Sequence, residues 1–348
     1  MEKRDMTNPI KLGIIGVGRA GYGMHLKEMK DKGLFEIYAV CDVEDDRLEK
    51  MKNEYGCKTY KRVEDIVEDP EIEVIDIATR SCDHFIHAMT ALQAGKTVLL
   101  EKPITMNYEE AKKLFAYADS LGKNKLFIRH NRRFEAKFME AQKIIESGLL
   151  GDVYYVKRSV ANFDRRCDWQ TISQYGGGQL LNWGPHLVDQ ALRFAGGDYK
   201  RMTSYTRQIA AAGDCEDVVL ASFEGINDRI VEIEISGGVT IPGPNYVLYG
   251  TRGTLVDQGD TYKIKYLPTD YVFPPIKSNP HTPSGQAFGN TDPLPFVEEE
   301  RTWETNKLDH IWQYVYDTVR EGKEYPIKSE EALKVMEVIT EIKRQNAR

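Results

Sequence analysis

The rhythm of apolar and polar positions changes along this chain. In the first third, short apolar runs alternate with helical patterns. Lys11–Ile15 reads as a strand closed by Gly16, followed by a helix to about Lys32, with Gly33 suited to its C-terminal cap. Phe35–Cys41 is a second strand, and Asp46–Tyr55 reads as a helix. Val74–Thr79 is apolar and β-branched, with a helix to about Ala94 after it, and Thr97–Leu100 is another buried strand. Tyr108–Leu121 reads as a helix and Leu126–Arg129 as a further short strand. Parallel neighbours need a crossover, so this alternation predicts β-α-β units. Continuous apolar runs fit strands buried on both faces, as in a doubly wound parallel sheet.

Beyond a helix near Phe134–Ser147 the pattern becomes strand after strand. Asp152–Ala161, Arg201–Ile209, Asp217–Phe223, Arg229–Ser236 and Tyr246–Tyr249 have few helices between them. This predicts an α+β half with an open, largely antiparallel sheet. One helix, about Gln179–Phe194, interrupts the run, and two more, near Asn306–Glu321 and Ser329–Arg344, follow it. Between them, Leu267–Trp303 reads as a long loop, since seven of the chain's 14 prolines lie between Pro268 and Pro295. Its role is either functional, an arm between subunits, or a solvated excursion. The change of pattern places a domain boundary near 128–132, giving a dinucleotide-binding unit over residues 1–130 and a substrate-binding and oligomerisation unit over 131–348.

Composition narrows the function classes. At 348 residues and 41% hydrophobic, the chain can build two real cores. Its net charge of −7 lacks the basic stripe a nucleic-acid binder needs. The one dense basic cluster, Arg129 to Arg133, reads as a solvated approach to a helix. No apolar run is long enough to span a bilayer, and residues 1–9 carry no apolar leader, so a cytoplasmic location is expected. The five cysteines are widely spaced with no Cys-x-x-Cys pair, which fits reduced thiols and no metal site.

The strongest motif is Gly16-Val17-Gly18-Arg19-Ala20-Gly21. It has G-x-G-x-x-G spacing, follows a strand and opens a helix. Gly16 allows the tight turn, Gly18 lets the backbone approach a pyrophosphate, and Gly21 lets helix and strand pack closely. The helix N-terminus then offers free N–H groups to the phosphates. Asp42, at the end of the second strand, stands where an acid would hydrogen-bond the ribose 2′-hydroxyl. A carboxylate there repels a 2′-phosphate, so NAD is expected over NADP.

Glu101-Lys102-Pro103 ends the strand Thr97–Leu100, where α/β sheets bind ligands. Pro103 restricts Lys102. A partly desolvated lysine has a lowered pKa and can exchange a proton with an alcohol. In the second half, Gly176-Gly177-Gly178 opens the isolated helix. If helical throughout, Asn182 and His186 share one face, with Asp189 and Arg193 continuing it. Pro185 could instead mark a first helical turn.

Taken in order, these residues resemble the glucose–fructose oxidoreductase / inositol dehydrogenase / MocA (Gfo/Idh/MocA) family. The resemblance rests on the glycine motif, Ala78-Thr79 with His84 beyond, Glu101-Lys102-Pro103, and Asn131-Arg132-Arg133-Phe134. Asp168-Trp169, Gly184-x-His186 and Gly250-Thr251-Arg252-Gly253-Thr254-Leu255 complete the set, which covers nearly the whole chain. It implies an NAD-dependent oxidoreductase that oxidises a hydroxyl of a sugar, inositol or related polyol. Lys102 maps onto the family's catalytic lysine and His186 onto its catalytic histidine. Asn182 stands where many members have aspartate, and an amide can orient a hydroxyl but cannot take its proton. Gln170 and Arg80 also depart from the common residues. By the same resemblance Ala78, Thr79, His84, Glu101, Lys102 and Asn131 join Gly16–Gly21 and Asp42 around the cofactor. Arg166, Asp168, Trp169, Lys102, Asn182 and His186 face the substrate. A homo-oligomer, dimer or tetramer, is implied as well. His25, His87, His281 and His310 read as structural or solvated. Two other outcomes known among relatives stay open: transient oxidation that enables elimination, as in some glycosidases, and a non-catalytic dinucleotide-binding sensor.

Overall fold

The computed structural model describes residues 8–30, 32–277, 280–281, 293–305 and 307–347. Its first sheet holds six parallel strands: β1 (Ile10–Ile15), β2 (Phe35–Cys41), β3 (Lys58–Tyr60), β4 (Val74–Ile77), β5 (Thr97–Leu100) and β6 (Leu126–Ile128). They run in the order β3-β2-β1-β4-β5-β6. The order reverses between β1 and β4, which is where doubly wound sheets open a ligand crevice. In register, Ile15 of β1 lies opposite Cys41 of β2 and Ile77 of β4, so the strand ends are level. They deliver Gly16, Asp42 and Ala78 to one rim. Helices α1 (Leu26–Met29), α2 (Asp45–Tyr55), α3 (Val63–Glu68), α4 (His84–Gln93) and α5 (Tyr108–Ser120) connect these strands. Leu12, Ile14, Val40, Ile75, Ile77 and Leu99 are completely buried between the two helical layers.

The first crossover helix is shorter than its sequence suggests. It ends at Met29 rather than near Lys32, and its opening turn, Gly21–His25, is wound as a π-helix. The amides of Met24 and His25 both reach Ala20 O at 3.0 Å. The extra residue in this turn points His25 into the protein, where it is fully buried. Such single-turn bulges concentrate at functional sites.

The second sheet has eight strands: β7 (Val153–Ala161), β8 (Tyr199–Arg207), β9 (Val218–Gly225), β10 (Ile230–Ser236), β11 (Tyr246–Gly250), β12 (Gly253–Asp257), β13 (Thr261–Tyr266) and β14 (Val297–Thr302). Their order is β14-β13-β12-β11-β7-β10-β9-β8, antiparallel except for the parallel pair β7 and β10. Helices α6 (Ala136–Glu146), α7 (Gln179–Asn182), α8 (Gly184–Phe194), α9 (His310–Glu321) and α10 (Ser329–Gln345) accompany it. Alternate residues of β9 and β10, among them Val219, Ala221, Phe223, Val231, Ile233 and Ile235, bury themselves against α7 and α8. The opposite face carries Tyr155 stacked on Tyr249, with ring centroids 5.2 Å apart.

Two expectations need correction. Part of the proline-rich segment (278–279 and 282–292) lies outside the described residues, but its end is not loop: Val297–Thr302 forms edge strand β14. The basic cluster is not solvated either. Arg129 and Arg133 are buried, because each is surrounded by carboxylates that the sequence keeps far away. Finally, α9 crosses back to the first sheet, where Trp312 packs edge-on against His25 (5.5 Å) and Phe35 (5.4 Å).

Candidate active site

The glycine turn closes on itself so tightly that side chains are excluded. Gly16 adopts φ +91°, and a Cβ there would lie 2.8 Å from Ala78 O. At Gly21 a Cβ would meet Gly16 O at 2.1 Å. The turn also draws in Asp42: its carboxylate accepts from the amides of Val17 (2.9 Å) and Glu44 (3.0 Å). Arg47 Nη1 stands 3.3 Å from both carboxylate oxygens and beside Gly18. A cavity of about 750 Å³ begins at this corner and runs beneath the strand ends to Lys102 and His186. A side-chain-free cradle at one end and a fixed buried carboxylate next to it fit a dinucleotide's pyrophosphate and ribose.

At the other end, β5 runs into Glu101 and Lys102, and the Lys102–Pro103 peptide is cis. Glu101 is clamped by Arg129 and by His25 Nε2 at 3.0 Å, while His25 Nδ1 meets Asp76 at 2.7 Å. Arg129 also pairs with Glu28, which accepts from Trp312 Nε1 at 2.9 Å. Burial would raise the Glu101 pKa, but Arg129 and His25 hold it well below the usual carboxylate range. Its second oxygen accepts the Lys102 amide at 3.0 Å, which fixes the lysine's backbone. Lys102 Nζ then crosses the cleft and donates to Asn182 O (3.0 Å) and Asn182 Oδ1 (3.4 Å). Burial pushes the Lys102 pKa down. Glu101 opposes this, and Arg129, Arg132 and Arg166 add to it.

The helix that carries the partner residues is broken rather than continuous. Gly178, at φ +98°, lets the chain enter α7, and Glu216 Oε1 accepts the Leu180 amide at 2.9 Å. Asn182 ends α7, Trp183 is the joint, and α8 starts at Gly184 with Pro185 in its first turn. The alternative that Pro185 begins a helical turn is therefore the one observed. The two residues still face the same cavity. Asn182 Oδ1 also accepts from Gln170 Nε2 at 3.3 Å, so its amide oxygen is turned toward Lys102. His186 is buried and its Nδ1 has no partner among the described residues. Burial, then Lys102 and Arg132, put its pKa well below 6.5, so the ring is neutral.

A family model for the oxidoreductase family with an NAD-binding Rossmann fold matches residues 10–130, and the GFO/IDH/MocA C-terminal domain model matches residues 138–256. The chain belongs to the Gfo/Idh/MocA oxidoreductase family. It is 26% identical over 355 residues to scyllo-inositol 2-dehydrogenase (NADP(+)) of Bacillus subtilis, covering 97% of this chain and 94% of that one. An uncharacterised oxidoreductase of Schizosaccharomyces pombe is 32% identical over 266 residues, 72% of this chain and 71% of its own. Among solved structures, an NAD-binding protein from Listeria innocua superposes with a TM-score of 0.80 at 24% identity, covering 97% of this chain and 95% of that one.

In this Gfo/Idh/MocA chain, most residues marked by the motifs reach one cavity. Gly16, Gly18, Arg19, Ala20, Asp42, Ala78, Thr79, Glu101 and Lys102 line it from the first half, and Asn131, Arg166, Asp168, Trp169, Asn182 and His186 from the second. Val17, Gly21 and His84 do not. Val17 acts through its amide on Asp42, and Gly21 through its missing side chain. His84 lies behind the wall, with Nδ1 2.6 Å from Pro103 O and Nε2 3.3 Å from Thr79 O, so it braces the loop that carries Lys102. Asp189 and Arg193 also turn away: Asp189 pairs with Arg133, and Arg193 with Glu331 at 2.9 Å. Sequence reasoning missed Arg47, His87, Arg132 and Trp183, which line the cavity as well. His87 bonds Thr79 Oγ1 at 3.1 Å. For Arg47, one helical turn into α2, the signal was present: a cation placed to return to the strand end that holds Asp42.

Proposed function

We propose that this chain is a nicotinamide-dinucleotide-dependent dehydrogenase, with NAD favoured, that oxidises a hydroxyl of a sugar, inositol or related polyol. One observation carries the reading: Lys102 from the first half and Asn182 and His186 from the second meet at the far end of the cavity that starts at the glycine turn. Residues 1–130 would hold the dinucleotide, and residues 131–348 the substrate and the contacts of a homo-oligomer through the uncovered face of the second sheet.

Bound in this cavity, the nicotinamide ring would supply the acceptor for the hydride that leaves the carbinol carbon. The chain's own residues handle the proton. Lys102, kept prone to deprotonation by burial and three neighbouring guanidinium groups, takes the hydroxyl proton on Nζ. Asn182 orients Nζ without adding a negative charge that would hold the proton there. His186 lines the cavity and is neutral, so a ring N–H turned to the cavity can hydrogen-bond the substrate and steady the developing alkoxide. Trp169 and Trp183 border the same space and limit water. For the cofactor, Asp42 favours the two free hydroxyls of the NAD ribose. Arg47 softens that preference by neutralising the carboxylate, and the relative from Bacillus subtilis named above is NADP-dependent.

The test is a screen of NAD and NADP reduction against inositols, hexoses, glycosides and sugar acids, repeated with Lys102→Met. The expected result is turnover that falls by about 10²–10⁴-fold in the variant while dinucleotide binding persists. Unchanged turnover in Lys102→Met would refute the assignment.

A further inference from the structure

The charges around Lys102 and His186 are not balanced. Arg132 lies over the Trp183 indole, its guanidinium carbon 4.3 Å from the ring centroid, and Trp183 meets His186 edge-on at 5.9 Å. The nearest acid to Arg132 is Glu135, with Oε1 at 3.4 Å. Glu135 is already shared: its Oε2 accepts from Arg158 at 3.4 Å and from Gln190 at 3.2 Å. One carboxylate therefore faces two guanidinium groups, and Arg158 is almost fully buried.

The other acids near this end are committed elsewhere. Glu101 is held by Arg129 and His25, and Asp168 is held in a two-point contact by Arg166 at 3.0 and 2.9 Å. The surplus charge at Arg132 is thus left facing the cavity with its side chain only 25% exposed. A poorly solvated cation without a full partner is costly unless something arrives to neutralise it. The pyrophosphate of a dinucleotide is not that partner, because the side-chain-free glycine turn that would cradle it opens beside Asp42 and Arg47, whereas Arg132 stands with Trp183 and His186; Arg19, 3.9 Å from Asp168, only adds to the positive charge on this side. A planar guanidinium fork suits a carboxylate, which it can bind through two parallel hydrogen bonds.

We propose that the substrate carries a carboxylate in addition to the hydroxyl that is oxidised, making it a sugar acid or similar polyhydroxy acid, and that Arg132 receives that carboxylate. The proposal rests on the dehydrogenase reading above and narrows it. The carboxylate takes no part in the redox step: the carbinol C–H bond and the O–H proton are lost as before, and the carboxylate leaves unchanged. Its negative charge, placed beside Arg132, completes the ion balance only when substrate is bound.

The experiment uses matched pairs: glucuronate and galacturonate, each against its methyl ester and its parent hexose, and gluconate against glucitol, with inositols alongside. Dinucleotide reduction is followed by absorbance, and binding to the dinucleotide-loaded protein by calorimetry. At least one acid is expected to exceed its neutral partner by about ten- to hundredfold in kcat/KM, the size of a charge-assisted contact. Arg132→Gln should collapse that ratio toward one, mainly by raising KM for the acid. Arg132→Lys, which keeps the cation but loses the planar fork, serves if Arg132→Gln fails to fold: a ratio reduced but still above one supports Arg132 as the receiver, and a ratio equal to the wild type's would overturn the two-point contact. Neutral polyols or esters oxidised as well as the matched acids would overturn this proposal alone. Dinucleotide binding with no oxidation or binding of any compound in the panel would overturn the dehydrogenase reading and this proposal with it.

Discussion

His25 should make the stability of the fold depend on pH in a window where few other groups do. Burial by itself would drive an imidazole to its neutral form. Here Asp76 at 2.7 Å and Glu101 at 3.0 Å outweigh both burial and the repulsion of Arg129, and raise its pKa from 6.5 to about 9. Between those values the folded chain holds a proton that the unfolded chain has released. Stability from this group is complete below pH 6.5 and is lost as the pH rises through about 9. At about 1.4 kcal/mol per tenfold change in proton affinity, the contribution is about 3 kcal/mol. The assay is urea unfolding from about pH 6 to about pH 10, comparing the wild type with His25→Gln. The variant should be the less stable at the acidic end, and the gap should shrink by about 3 kcal/mol toward the alkaline end. Lysines, tyrosines and cysteines that titrate in both proteins cancel in the difference. A gap that does not vary with pH would show that His25 is not held charged, and the account of the Glu101 clamp would fall with it.

Three further outcomes follow from the site. Gly21→Ala places a Cβ 2.1 Å from Gly16 O, a backbone atom that cannot give way; a loss of about 1–3 kcal/mol in stability and at least tenfold in dinucleotide affinity is expected, read by unfolding and by calorimetry. Arg47→Gln leaves Asp42 unneutralised, so the ratio of NAD to NADP affinity should rise by about three- to tenfold, and an unchanged ratio in fluorescence titration would remove Arg47 from the ribose corner. Lys102 acts as a base only when deprotonated, so oxidation should slow as the pH falls through its lowered pKa; Asn182→Asp adds a charge that favours the ammonium form and should move that limb of the kcat profile to higher pH.

How much was legible in the chain depended on whether the signal was local. The strands Phe35–Cys41 and Thr97–Leu100 are dominated by apolar residues, with Glu36 and Thr97 the exceptions, and their ends were readable to the residue. β3 is three residues long and partly exposed, with no apolar run to mark it. β14 reads Val-Glu-Glu-Glu-Arg-Thr, a poor strand by composition. It is held by partners across the ladder: Lys265 reaches Glu298 at 3.1 Å and Tyr266 reaches Glu299 at 2.5 Å. Lys102 and His186 could be found because motif spacing fixes them near strand and helix ends. The burial of Arg129 and Arg133 could not. Their partners include Glu28, Glu101, Asp189 and Glu331, brought from four separate parts of the chain. The break at Trp183 was foreshadowed by Pro185, whose ring fits a first turn better than a helix interior.

The return of α9 to the first sheet bears on how the molecule is made. The strands of that sheet are all in hand once Ile128 has been synthesised. Glu28, which neutralises Arg129, takes the hydrogen bond of Trp312, and Trp312 also covers His25 and Phe35. A nascent chain on the ribosome can thus form the parallel sheet early, but its buried ion cluster stays open to water for more than half of translation. The cluster beneath Lys102 closes only when residue 312 arrives, so the proton-handling end of the site matures last, after both halves of the protein are present.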